Sequence, residues 1–268
     1  MANTVILKTE EQIKAEIAKA TVVVAVPKTT TTPSAAVTVT RMGPTIAIQN
    51  LSTVLTNAQV QAAVAALQIQ LDRDWQPAWG TTATLLFLSK TQPIPINTWP
   101  IYIMDNSDVA GALGYHDEAN KGRPYGRVFA KTDAQYGYSW TVTLSHELLE
   151  MMADPFVNLT VFNQNTNTAG TLVAYEVGDP VEDDRYGYTI NGILVSDFVF
   201  PAWFDSTATA AGTKYDQRGL LHAPFQILPG GYVSIFNVTN GSGWTSITAD
   251  NVEVPPGKDA SGRNRMDR

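Results

Sequence analysis

One stretch of the sequence combines residue types at a spacing that suits metal-dependent chemistry. Residues 143–155 read TLSHELLEMMADP, and on a helix His146 and Glu150 lie one turn apart on the same face, at about 6 Å from each other. Two such side chains can bind one divalent cation. Glu147 lies about 100° round the helix, where its carboxylate can reach a water molecule bound to that cation. The pattern predicts His146 and Glu150 as metal ligands and Glu147 as the catalytic general base.

A third ligand must come from elsewhere in the chain, and a second acidic segment supplies candidates. Residues 175–184 read YEVGDPVEDD. We predict Glu176 as the third metal ligand and Asp179 as a carboxylate that orients His146 by a hydrogen bond, with Glu182 as an alternative ligand. A calcium-binding segment, a turn segment or a solvated acidic stretch would have the same composition.

The remaining histidines and two tyrosines are further candidates. His116, in GALGYHD, is predicted to lie in a loop between strands, as an alternative ligand or a hydrogen-bond partner of the ligands. His116, His222, Tyr186 and Tyr188 are equally able to donate a proton to a reaction intermediate. Asp154 lies about two turns beyond His146 and precedes a proline, so it is predicted to end the helix and not to bind the cation.

Composition excludes several classes of protein. The 268 residues contain no cysteine, which excludes disulfides, thiolate metal sites and cysteine nucleophiles. The formal net charge is −7 and the basic residues are scattered, which argues against a nucleic-acid partner. No apolar run approaches the ~18 residues of a membrane helix, and the N-terminus lacks a secretory signal pattern. We therefore expect a cytoplasmic or particle-associated protein with no membrane partner, and the oligomeric state stays open.

The elements that must position these residues follow from turn signals and hydrophobic spacing. Thr56 and Gln59 form a capping box that opens a helix, and we expect this helix to end before Pro77. A second helix, residues 139–153, is apolar on most of its surface and is expected to be buried. Asn191-Gly192 predicts a hairpin between residues 186–190 and 193–200. The strands predicted in the first half are residues 45–49, 84–88, 101–104 and 126–131.

Changes in composition divide the chain into three parts. Residues 1–40 are predicted to be an N-terminal extension, with a helix at 9–20, a strand at 22–26 and a Thr-rich linker. Residues 41–155 contain the helices and strands that precede and include the motif. Residues 156–268 form a strand-rich C-terminal subdomain with a polar tail. The fold class predicted for the whole chain is α+β.

The order of elements across residues 56–153 resembles the upper subdomain of the zincin metallopeptidases, whose helix carries H-E-x-x-H. Here Glu150 stands at the position of the second histidine. The resemblance implies that residues 41–155 form a zincin-like domain with a backing helix at 57–74, a mixed twisted sheet and an active-site helix. It also implies that residues 126–131 are the edge strand, along which a peptide or protein substrate binds. A glutamate as the third ligand resembles the gluzincin branch.

Five segments resemble more closely a group of uncharacterised bacterial and phage-associated proteins. The segments fall within residues 60–205 and read AALQIQLDRDWQPAWG, NSDVAGALGYHD, WTVTLSHELLEMMADP, AYEVGDPVED and VSDFVFPAWF. This resemblance implies a fold but no activity. A ligand set of one histidine and two glutamates suits zinc, with manganese and calcium as alternatives.

Functions of different classes fit these residues. The first is a metal-dependent peptidase or hydrolase in which Glu147 activates a metal-bound water. The second is a catalytically inactive zincin-like scaffold, a binding or phage- or particle-associated structural protein whose cation joins the helix to the C-terminal half. A third interpretation is a calcium-stabilised carbohydrate or surface binder that uses Trp203, Trp244 and Asp205.

Overall fold

The structure, a computed structural model, describes residues 43–109, 111–119, 122–166, 169–239, 241, 243–250 and 253–254. The helix, strand and linker expected within residues 1–40, and the polar tail at 257–268, lie outside the described residues. Helices and strands of the described part form an α+β fold with a mixed sheet, which confirms the predicted class. No helix in that part is both long enough and apolar enough to cross a bilayer.

A five-stranded mixed sheet is the framework of the first half. Four of its strands are parallel, and β4 is antiparallel to β5 at one edge, in the order β2-β1-β3-β5-β4. The strands are β1 (Thr45–Asn50), β2 (Thr84–Leu88), β3 (Thr98–Met104), β4 (Gly114–Ala119) and β5 (Arg123–Phe129).

The assignment of residues 126–131 as the edge strand was wrong. These residues overlap β5, which lies between β3 and β4 inside the sheet, and the edge position belongs to β4. His116 was predicted to lie in a loop, but it belongs to residues 114–119, which pair with β5. They form a strand because Gly122, with φ +72°, closes a turn that brings β4 back antiparallel to β5.

The first long helix begins as predicted and continues further than expected. The Thr56 side chain accepts a hydrogen bond from the Gln59 amide, and the Gln59 side chain accepts one from the Thr56 amide, so α1 (Asn57–Gln70) has its capping box. The expected end before Pro77 was wrong. The chain passes through a π-helical turn, Leu71–Trp75, into α2 (Gln76–Trp79), which ends at Gly80 in the left-handed conformation. Pro77 lies in the first turn of α2, where a missing amide hydrogen breaks no helical bond.

The motif lies on a buried helix, as predicted. After α3 (Ala130–Tyr136), the helix α4 (Trp140–Ala153) begins at Ser139, and ten of its residues are buried. Ser145 of α4 donates a hydrogen bond to Gln70 of α1 at 2.7 Å, so the two long helices meet. On its other side α4 packs against β4 and β5. A side chain at Gly114 would collide with Thr143 and Glu147, which shows how closely β4 approaches the helix.

The second half consists of short strands, turns and 3₁₀ helices. The hairpin of β8 (Tyr188–Ile190) and β9 (Ile193–Val195) confirms the turn at Asn191-Gly192, although its second strand ends before residue 200. Both turn residues have positive φ, +50° and +81°, as a type I′ turn requires. A second, antiparallel sheet has the order β12-β11-β10-β7-β6. Its strands are β6 (Thr160–Thr166), β7 (Ala169–Ala174), β10 (Tyr232–Asn237), β11 (Trp244–Thr248) and β12 (Glu253–Val254).

One hydrophobic core joins the two halves. It contains Ile46 of the mixed sheet, Leu67 of α1 and Leu144 of α4 together with Val177 and Phe198 from the second half. The acidic segment at 175–184 is therefore packed directly beside α4.

Candidate metal centre

Two side chains of α4 meet as their helical spacing predicts. His146 Nε2 lies 3.2 Å from Glu150 Oε2, and both residues are buried. The other oxygen of Glu150, Oε1, accepts a hydrogen bond from the Gly178 amide at 3.2 Å. This bond fixes the carboxylate so that Oε2 points towards the imidazole.

The acidic segment brings Asp179 to the same imidazole. Asp179 begins a 3₁₀ helix, Asp179–Val181, and its Oδ1 lies 3.4 Å from His146 Nε2. The neighbouring Gly178 allows this approach, because a Cβ atom there would lie only 2.4 Å from His146 Nδ1. Asp179, predicted to orient His146, thus faces the same ring nitrogen as Glu150 does.

His116 lies in the centre of the site and not in a loop. It is the third residue of β4, fully buried. Its Nδ1 lies 3.3 Å from Glu147 Oε2 and 3.7 Å from Glu150 Oε2, and its Nε2 lies 3.2 Å from the carbonyl oxygen of Asp154. The sequence offered one signal that was missed: His116 and Gly114 alternate onto one face of a strand, the face that meets α4.

The predicted third ligand contacts the other histidine. Glu176 Oε2 lies 3.8 Å from His116 Nε2. The carboxylate with an oxygen close to the donor atoms of both His146 and Glu150 is that of Asp179 and not that of Glu176. Asp154 ends α4, and its carboxylate accepts hydrogen bonds from the amides of Asn158 and Leu159.

We refer to the buried residues that meet here as the Glu150 cluster. They are His116, His146, Glu147, Glu150, Glu176 and Asp179.

The other candidates lie away from the cluster. His222 is exposed, and the hydroxyls of Tyr186 and Tyr188 donate to the Pro229 carbonyl and to Asp74. Trp203 is fully buried and its indole N–H donates to the Gln226 carbonyl, so it is a core residue and not an exposed binding surface.

The electrostatics of the cluster favour a bound positive charge. Burial lowers the pKa of His146, but the carboxylates of Glu150 and Asp179 outweigh burial and raise that pKa well above its ordinary value. Burial and the charge of Glu150 raise the pKa of Asp179 in turn, although His146 opposes the shift. Four carboxylates against two imidazoles leave an excess of negative charge, which a divalent cation would offset.

The distances around His146 fit a metal ion. Donors bound to a tetrahedral zinc at about 2.0–2.1 Å lie about 3.3 Å from one another. The separations of 3.2 and 3.4 Å from His146 Nε2 to Glu150 and Asp179 are close to that value. These buried groups could therefore bind a metal ion, and so could the set of His116, Glu147 and Glu150.

A cleft with a cavity volume of about 90 Å³ leads to the cluster. His146 and Glu147 lie at its base, with Gly114 of β4 and Thr143 of α4 beside them. Its residues are Leu113, Gly114, Tyr138, Val142, Thr143, His146, Glu147, Glu182, Asp183, Asp184, Ser196 and Gly230. Glu182, the alternative ligand, thus lies on the cleft wall.

Asp133 is a buried carboxyl group that the sequence analysis missed. Its Oδ1 accepts a hydrogen bond from Thr143 at 2.8 Å, one turn before Glu147 on α4. Burial, with the charges of Asp184 and Glu147, raises the pKa of Asp133 to about 7, although the Thr143 hydroxyl opposes the shift. No local pattern marks this residue, because it lies on the short helix α3.

Comparison of the chain with protein-family models, with curated proteins and with solved structures finds no match.

Proposed function

We propose that the protein is a zincin-like, metal-dependent hydrolase that cleaves a peptide or protein substrate. The observation that carries the proposal is the buried donor set of His146, Glu150 and Asp179, which lies beside Glu147 at the base of a cleft. In this assignment Asp179 replaces Glu176 as the third ligand. Zinc is the cation that suits one imidazole and two carboxylates at these separations.

The arrangement of the sheet supports the zincin-like assignment. A helix that carries the motif packs against a mixed sheet with one antiparallel edge strand, β4, and β4 has a single strand partner among the described residues. Its other edge lies beside the cleft, since Leu113 and Gly114 line it. An extended peptide that paired with this edge would pass over Glu147.

Glu147 and His116 have separate roles in such a reaction. A bound divalent cation lowers the pKa of water and polarises a carbonyl group. Glu147 accepts the proton of the attacking water and transfers it to the leaving amine. His116 holds Glu147 Oε2 at 3.3 Å and so orients the carboxylate at the base of the cleft.

The test is the variant Glu147→Gln, in the full chain loaded with one equivalent of zinc and assayed with a library of fluorogenic peptides. We expect turnover to fall by about 10²- to 10⁴-fold, the usual contribution of a general base, with zinc content unchanged. Asp250→Asn is the matched control, because Asp250 is exposed and is not among the residues that line the cleft, so this variant should keep full activity. Equal turnover of Glu147→Gln and the parent protein would refute the role of Glu147.

A second candidate is a scaffold in which the cation is structural. It is favoured by the placement of the ligands on three separate segments, β4, α4 and residues 176–179, which a cation would join. Zinc that raises the melting temperature while no peptide in the library is cleaved would support this function over hydrolysis.

A further inference from the structure

The Glu150 cluster contains two donor sets that share one residue. His146, Glu150 and Asp179 form the first, and His116, Glu147 and Glu150 form the second. Glu150 Oε2 lies 3.2 Å from His146 Nε2 on one side and 3.7 Å from His116 Nδ1 on the other. A carboxylate in this position between two imidazoles can be shared by two cations.

The orientation of His116 is fixed by an independent contact. Its Nε2 lies 3.2 Å from the main-chain carbonyl of Asp154, which can only accept a hydrogen bond. Nε2 therefore donates a hydrogen to that carbonyl, and Nδ1 is the ring nitrogen that faces the carboxylates. Nδ1 lies 3.3 Å from Glu147 Oε2 and 3.7 Å from Glu150 Oε2. An imidazole nitrogen and two carboxylate oxygens at these separations can share a proton or bind a cation in its place.

We propose that His116 Nδ1, Glu147 and Glu150 form a second cation site, filled after the first. An imidazole with two carboxylates suits zinc or manganese. The site is reached from the cleft, which Glu147 lines. The second cation binds more weakly than the first, because it shares Glu150 and is repelled by the cation already bound.

This site has a consequence for activity that rests on the proposed function. Glu147 cannot accept a proton from water while it binds a cation. Zinc beyond one equivalent therefore inhibits hydrolysis, and the inhibition disappears when His116 is replaced.

The experiment measures zinc stoichiometry and the ring nitrogens that zinc contacts. The full chain is stripped with a chelator and titrated with zinc by equilibrium dialysis. Imidazole ¹⁵N spectra are recorded in parallel, with peaks assigned from variants of the three histidines. We expect two equivalents in the parent protein, one in His116→Gln and two in His222→Gln, the matched control at an exposed position. The spectra should show zinc on Nε2 of His146 first and on Nδ1 of His116 second.

The outcomes separate this inference from the proposed function. One equivalent at saturation, with the His116 spectrum unchanged, overturns the second site and leaves the proposed function intact. Two equivalents in His116→Gln also overturn it, because the second cation then lies elsewhere. Two equivalents with both ring assignments, together with no peptide cleavage at one equivalent of zinc, support the second site and count against hydrolysis. If His116→Gln fails to fold, the spectra of the parent protein alone still show whether zinc binds Nδ1 of His116.

Discussion

Two regions of the molecule bury several carboxyl groups, and they do so in different ways. The Glu150 cluster turns its carboxylates towards imidazole rings. Asp197 and Asp216, which we call the Asp197 pair, each accept two main-chain hydrogen bonds. Asp197 accepts from the amides of Phe198 and Arg218, at 2.8 and 3.1 Å. Asp216 accepts from the amides of Leu220 and Leu221, at 2.8 and 2.9 Å.

The comparison distinguishes buried carboxyl groups that stabilise turns from buried carboxyl groups that are placed to bind a ligand. Each member of the Asp197 pair fixes a nearby turn through main-chain amides, and burial together with the charge of Asp216 raises the pKa of Asp197. Glu150 also accepts an amide hydrogen bond, from Gly178 to Oε1, but its Oε2 faces the imidazoles of two histidines. We therefore expect the contribution of the Asp197 pair to stability to change with pH. The contribution of the Glu150 cluster should change with the concentration of a divalent cation.

The largest expected effect is that of Glu150→Gln on zinc binding. Glu150 belongs to both donor sets, so its replacement should weaken zinc binding by at least about 100-fold, the upper end of what an indirect partner of a ligand contributes. In the parent protein, zinc at 100 times its dissociation constant should stabilise the fold by about 2.7 kcal/mol. Thermal unfolding with zinc and with chelator measures this difference, which Glu150→Gln should lose.

The control for this experiment comes from the other region. Asp197→Asn keeps the shape of the side chain and lies in the Asp197 pair, so it should bind zinc as the parent protein does. Equal zinc affinity of Glu150→Gln and the parent protein would contradict the distinction between the two regions.

The second prediction concerns pH and the Asp197 pair. Burial and the adjacent Asp216 raise the pKa of Asp197 to about 8, although amide hydrogen bonds oppose the shift. The folded protein therefore holds a proton that the unfolded chain, with an Asp pKa near 3.9, releases. The free energy of unfolding should fall by up to about 1.4 kcal/mol per pH unit between pH 4 and 8, and level off above.

Urea unfolding in chelator across this pH range measures the slope. Asp197→Asn removes the carboxyl group that binds this proton. In this variant the free energy of unfolding should therefore fall less steeply with pH, by the contribution of one carboxyl group. A parent protein and an Asp197→Asn variant with the same slope would show that the pair does not hold the proton.

The smallest expected effect is that of a methyl group added at Gly178. It tests whether a position needs glycine because a side chain has no space or because the backbone would be strained. In Gly178→Ala, the added methyl would lie within 3 Å of three atoms of the His146 ring. Moving that ring from Glu150 and Asp179 should weaken zinc binding by roughly tenfold. Isothermal titration with zinc measures the change.

Gly192→Ala is the matched variant for Gly178→Ala. Its methyl would meet nothing within 4 Å, but its φ of +81° is unfavourable for alanine. We expect a loss of about 1 kcal/mol in stability from backbone strain and no change in zinc affinity. Zinc binding weakened equally in both variants would mean that Gly178 acts through general stability and not through His146.

The predictions from sequence succeeded where a local rule decides the geometry. The capping box at Thr56, the hairpin turn at Asn191-Gly192 and the contact of His146 with Glu150 each depend on residues within four positions of one another. Helical and turn geometry fix such contacts whatever surrounds them. The end of the first helix was missed because a proline in the first turn of a new helical segment is compatible with continuation.

Helical spacing alone predicts that one buried helix presents His146, Glu147 and Glu150, since a period of 3.6 residues sets the directions of these side chains. Which residues meet them depends on how distant segments of the chain pack. His116 arrives on a strand whose pairing depends on a turn, and Asp179 in place of Glu176 faces His146 because Gly178 lets the backbone approach the ring. Contacts across such sequence distances follow from how sheet, helix and loop pack together, and no local pattern carries that information.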